Sequence, residues 1–183
     1  MDNVPGKRDI ITEISGVDSG RRISAKPAAA EILLEGQPLF DIVLETALNS
    51  KGYLAERCAE ACARASVKNG GMAGKRKGKI IRAVLKNPDG RIRYFLAVML
   101  LSVKTGEKDG FKCARIINEW LKGEESRGAK ACFLEAIAKL AAGSKKARPM
   151  AERLMDEALK SPVASYSARA RQIIKRKEGV SAV

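Results

Sequence analysis

Two constellations in this chain carry side chains whose types and spacing could do chemistry. Cys58 and Cys62 stand four apart in "RCAEACARA", which on a helix puts two thiols on one face and could give a metal two sulfur ligands. The chain contains no histidine, however, and Cys113 and Cys132 form no second close pair. All four cysteines therefore read as small residues buried in helix seams, and no metal or other cofactor is expected. The second constellation is "NGGMAGKRKGK", glycines beside lysines. A phosphate-cradling loop needs the order GxxxxGK[ST] between a strand and a helix, which is missing here, so the stretch reads as a flexible inter-helix loop with a basic tail.

The missing histidine reaches further. Ser-His and Cys-His nucleophile pairs, His-based zinc sites and histidine acid-base chemistry are all unavailable, and no catalytic residues are assigned. A non-enzymatic role is expected.

The elements that must position any site come from a repeat. Four stretches align: "TALNSKGYLAERCAEACARA", "AVLKNPDGRIRYFLAVMLLS", "EWLKGEESRGAKACFLEAIAKLA" and "EALKSPVASYSARARQIIKR". Each closes an amphipathic segment at a leucine followed by a polar residue, crosses a turn, and opens a second segment with a basic residue ahead of an apolar run. The leucines Leu48, Leu85, Leu121 and Leu159 are separated by 37, 36 and 38 residues. Arg57, Arg93, Lys130 and Arg169 follow them by 9, 8, 9 and 10 residues.

This pattern resembles the HEAT-repeat family in its short bacterial form, over about residues 38–177, most closely in "LKNPDGRIRYFLA", Leu85 to Ala97. The resemblance implies an all-α fold, a right-handed α-solenoid of antiparallel helix pairs with an extended concave surface, and most often a protein-binding scaffold. Of the enzymes on HEAT-like scaffolds, the di-iron hydroxylases need His-Glu pairs this chain lacks, and nothing in it marks a DNA glycosylase site or a bilin pocket. The expected organisation is a flexible N-terminal tail over 1–25, lacking periodicity, and one repeat domain over 26–183 of about four helix pairs.

Individual segments read the same way. Ser126 is placed as an N-cap, Pro149 in a first helical turn, and Gly123 and Gly143 at helix ends. The helix over about 91–104 is apolar almost all round and must be buried between neighbours. Trp120, at helical spacing with Cys113, Ile117 and Leu121, reads as core.

Net charge is +14 with a pI near 9.9, which favours polyanionic partners. The charge is uneven. Residues 67–93 carry nine Lys and Arg against one acid, whereas residues 27–66 carry three against six. Within "KRKGKIIRAVLK", read as one helical segment, Lys75, Lys79, Arg82 and Lys86 recur at i, i+4, i+7 and i+11 and share an arc of roughly 60° opposite an apolar face. In a HEAT-like stack the second helix of each pair lines the concave side. The stripe is placed there as the partner-binding site, with Arg115 and Arg153 continuing it.

Two partner classes fit: a protein with an acidic surface, favoured by the resemblance, and nucleic acid held through its phosphates. Aromatic residues make up only 4% of the chain, which disfavours a binder relying on stacked bases. No apolar run is long enough to span a membrane, the N-terminus lacks a secretory signal pattern, and cysteine usage suits a reducing compartment, so a cytoplasmic location is expected.

Overall fold

Helix starts in this chain are written by prolines and short polar side chains, and its helix interiors by alanine and leucine. The structure, a computed structural model, describes residues 10–12, 14, 25–86, 88–124 and 126–181, with side chains as far as residue 176. Every regular element among the described residues is helical: α1 (Lys26–Glu35), α2 (Gln37–Asn49), α3 (Gly52–Lys68), α4 (Gly70–Lys75), α5 (Lys77–Leu85), α6 (Gly90–Leu100), α7 (Glu107–Lys122), α8 (Arg127–Ala142), a 3-10 turn (Lys145–Ala147), α9 (Arg148–Leu159) and α10 (Ala164–Ser181). Within the stretch read as a tail, residues 10–12 and 14 are helical, and Ile10 and Ile14 are buried. The remainder of 1–24 lies outside the described residues.

The chain groups into two compact units. The first comprises Met1–Ala83 with Pro88–Val103, the second Val84–Asn87 with Lys104–Val183. In the first unit α1 and α2 are joined by Gly36, whose φ of 81° favours glycine because a Cβ there would crowd the backbone. Both helices pack on α3, whose Ala55, Ala59, Ala61 and Ala63 are buried and small enough for close approach. The other side of α3 takes α6, started by Asp89, whose Oδ1 accepts from Arg91 N at 3.0 Å. Ile92, Leu96, Ala97, Met99 and Leu100 of α6 are buried, while Tyr94 is exposed, so the enclosure expected for this helix holds for most of its circumference.

The second unit repeats the scheme. α7 packs on α8, and α8 on α10, with α9 against both α8 and α10. Ser126 caps α8 by accepting from Ala129 N at 3.4 Å, and Pro149 occupies the first turn of α9, as expected. Gly123 and Gly143 end α7 and α8, but with φ of −92° and −95° rather than in a left-handed cap. Gly143 is needed for another reason: a Cβ there would meet the Thr105 carbonyl oxygen at 2.9 Å.

The period of the sequence reappears in the polar contacts. Leu48, Leu85, Leu121 and Leu159 are the last or next-to-last residues of α2, α5, α7 and α9, and the four phased cations fall early in α3, α6, α8 and α10. Between described residues, side-chain hydrogen bonds such as Lys79 to Glu45 and Arg176 to Glu135 span 34 to 41 residues, about one period, while the Cys62 thiol reaches the Phe40 carbonyl 22 residues away. Ser102 Oγ thus donates to the Ser66 carbonyl at 3.2 Å.

Glu107 makes the corresponding link in the second unit. Its carboxylate accepts from Lys145 N at 2.8 Å, Lys146 N at 2.9 Å and Ser144 Oγ at 3.1 Å. The backbone N–H groups of Lys146 and Lys145 hold its carboxyl below the usual value of 4.5. A lowered folded-state pKa stabilises the fold at pH values above the ordinary one, and that contribution is lost as pH falls through the folded value. Glu107→Gln is therefore expected to lower the Tm at pH 7, and the gap to the parent protein to close as pH falls below 4.5. Thermal circular dichroism across pH checks this, and a gap independent of pH would remove the carboxylate from the account.

Candidate functional site

The cationic stretch does not form one helix. Arg76, with φ −110° and ψ 18°, separates α4 from α5, so Lys75 sits on a different helix from Lys79 and Arg82, and Lys86 directly follows α5. The single arc expected for these four is therefore corrected to two short helices. Glycines 70, 71, 74 and 78 explain the break, each weakening a continuous helix by about 1 kcal/mol relative to alanine. The "NGGMAGKRKGK" stretch is correspondingly helical rather than a loop. Asn69 Oδ1 starts α4 by accepting from Gly71 N at 3.2 Å, and Met72 and Ala73 are buried.

The placement on second helices is also corrected. Lys79 and Arg82 on α5, Arg115 on α7 and Arg153 on α9 all belong to first helices, because the leucines that close those helices, Leu85, Leu121 and Leu159, come after them. The register of the repeat determines this, and the second helices α6, α8 and α10 carry none of the six.

Tertiary packing then changes the charge. Arg76 Nε donates to Asp41 Oδ1 at 2.6 Å, its guanidinium also bridges Asp41 Oδ2, and Lys79 pairs with Glu45. The Arg76 guanidinium holds the Asp41 carboxyl below its usual range, and Lys79 does the same for Glu45. Both acids come from α2, one period upstream, where they line an open groove of about 490 Å³ with Thr46 and Asn49. Lys68, Lys75, Lys77, Arg82 and Lys86 are exposed and form no ion pair among the described residues. Arg115 is exposed, its guanidinium 5.9 Å from the Phe111 ring centroid, and Arg153 pairs with Glu157.

The cysteines are all buried. Burial pushes the Cys58 and Cys132 thiols up to about 12 and the Cys113 thiol to about 11. Among the described residues no group of three or more Cys, Asp or Glu is placed to hold a metal ion. No helix among them is long and apolar enough to cross a membrane.

One feature of the second unit was missed in the sequence. A pocket of about 210 Å³ is lined by Asn118, Lys122, Lys130, Arg153, Glu157 and Tyr166 among others. Asn118 is 7% exposed, and its Oδ1 has no hydrogen-bond partner among the described residues. A readable signal existed, since Asn118 lies four residues after Ala114 and three before Leu121, a primary amide on an otherwise apolar stripe.

No family model, curated protein or solved structure matches this chain.

Proposed function

We propose that this protein is a non-enzymatic helical-repeat scaffold of the HEAT type, a right-handed α-solenoid that docks a protein with an acidic surface through the cations of its first helices. The observation that carries the reading is the stretch 67–86. It holds seven cations and no acid, and after Asp41 and Glu45 neutralise Arg76 and Lys79, the exposed Lys68, Lys75, Lys77, Arg82 and Lys86 stay unpaired among the described residues. Unpaired exposed cations attract polyanions at little desolvation cost, and their effect is screened by salt. Support for the repeat comes from hydrogen bonds spanning 34 to 41 residues inside each unit, which join the first repeat to the second and the third to the fourth.

The test is fluorescence anisotropy with a labelled twenty-residue polyglutamate peptide and with short duplex and single-stranded DNA and RNA, across a salt series. The parent protein is expected to bind the peptide with a steep salt slope. Combined Lys75→Gln, Lys77→Gln, Arg82→Gln and Lys86→Gln should weaken it by at least about tenfold and flatten the slope. Tighter binding of nucleic acid, lost in the same variant, would replace the protein partner with nucleic acid. Binding indifferent to the substitutions would overturn both readings.

A further inference from the structure

The basic segment of the first unit carries more positive charge than it leaves open, because α2 supplies anions of its own. Asp41 and Glu45 stand one helical turn apart on α2, and each engages a cation 35 or 34 residues downstream. Arg76 Nε donates to Asp41 Oδ1 at 2.6 Å while a second guanidinium nitrogen reaches Oδ2, and Gln37 Nε2 donates to the same Oδ1 at 2.8 Å. Lys79 Nζ pairs with Glu45 Oε2, and Asn49 Nδ2 donates to Oε1 at 3.0 Å. Both cations stay within reach of a guest, since 39% of the Arg76 side chain and 43% of the Lys79 side chain is exposed. Glu45 is the more exposed acid, so its pair is the easier to open, whereas the two-point clasp and the Gln37 amide hold Asp41 more firmly.

In sequence, Arg76 and Lys79 lie within the run of Lys75, Lys77 and Arg82, which are exposed and form no ion pair among the described residues. All of these residues and both acids belong to the first unit. A polyanion drawn to the three open cations therefore meets two cations already occupied and two carboxylates that repel it. We propose that Asp41 and Glu45 form an autoinhibitory contact, occupying Arg76 and Lys79 as an acidic partner would, so that a partner must displace them to engage the whole basic segment. The contact presupposes the acidic-partner reading of this face and adds its internal competitor. It also selects among ligands. A lone carboxylate exchanges one for one with Glu45 and gains nothing, whereas an acidic stretch held at the open cations brings further carboxylates at high local concentration.

The test is anisotropy of the labelled polyglutamate peptide with the full chain, across a salt series. Asp41→Asn with Glu45→Gln frees two cations and removes two like charges, so it is expected to bind about tenfold tighter than the parent and with a steeper salt slope. Glu31→Gln with Glu35→Gln is the control, because it removes two exposed carboxylates at the same spacing from α1 that pair with no cation among the described residues. Its gain should stay under about threefold. Arg76→Gln with Lys79→Gln should cost the parent under about threefold and the variant lacking the α2 acids about tenfold, the non-additivity expected of interacting residues. Glu45→Gln alone leaves the Asp41 clasp intact and should gain about threefold, which keeps the test decisive if the double substitution unfolds the helix pair. Equal gains from the α2 and α1 substitutions, or equal costs of the cation substitutions in both backgrounds, would overturn the internal competitor. The acidic-partner reading would survive that result, since it is tested by the glutamine substitutions at Lys75, Lys77, Arg82 and Lys86. Binding only by the variant lacking the α2 acids would show complete masking, and binding by no variant would overturn both proposals.

Discussion

Replacing Phe133 with alanine is expected to lower the unfolding free energy by about 3–5 kcal/mol. Phe133 is 1% exposed on α8, and its ring centroid lies 5.8 Å from that of Trp120 on α7 at an interplanar angle of 58°. Truncation removes the transfer free energy of the ring, leaves a cavity that rigid neighbours fill only in part, and breaks an aromatic pair worth about 0.5–1.5 kcal/mol beyond area burial. Domains of this size have about 5–15 kcal/mol in all, so the loss is a large share. Phe133→Leu, which keeps much of the volume, should cost under about 1.5 kcal/mol. Urea unfolding followed by Trp120, the only tryptophan in the sequence, reads both variants in the second unit, with circular dichroism reading helix content throughout. An alanine variant within about 1 kcal/mol of the parent would show that the α7–α8 seam is not packed as described.

The four thiols are expected to be nearly inert in the native protein and to react fully in guanidinium chloride. Only the thiolate attacks a disulfide reagent. With a pKa of about 12, as at Cys58 and Cys132, roughly one thiol in ten thousand is ionised at pH 8, against about a quarter for a free cysteine. Protonation alone therefore slows attack by more than about a thousandfold, and burial adds to this by excluding the reagent. The residual rate should follow local opening of the helices. An aromatic disulfide reagent, with absorbance counted against time, measures it. One cysteine reacting in the native protein near the free-thiol rate would mean that its helix seam is open.

The helical scheme was legible because its signals are local. Pro149 and Ser126 mark helix starts through backbone geometry and capping, which act within a turn of the residue itself. The four leucines mark helix ends because they are the last apolar positions before turn chemistry. Trp120 was readable as core because three apolar residues share its helical face, and it is 3% exposed. The stretch "KRKGKIIRAVLK" has the apolar spacing of one helix but breaks at Arg76, in a region where the helical cost of glycine accumulates over four positions between 70 and 78. The candidate site was legible only as a concentration of cations.

The sequence by itself determined the helices, their period and the uneven distribution of charge, since each depends on residues a few positions apart. Only the tertiary structure decided which charges remain available. Arg76 and Lys79 are neutralised by acids 35 and 34 residues upstream, a match fixed by the rotational phase of α2 against the α4 and α5 segments. It likewise decided that Asn118 Oδ1 is buried without a hydrogen-bond partner among the described residues, while Lys130 and Tyr166, from two other helices, line the same pocket. Coulombic and hydrogen-bond energies fall off over a few ångströms, so a difference of one helical position in packing determines whether a side chain is paired, and no local pattern encodes that distance.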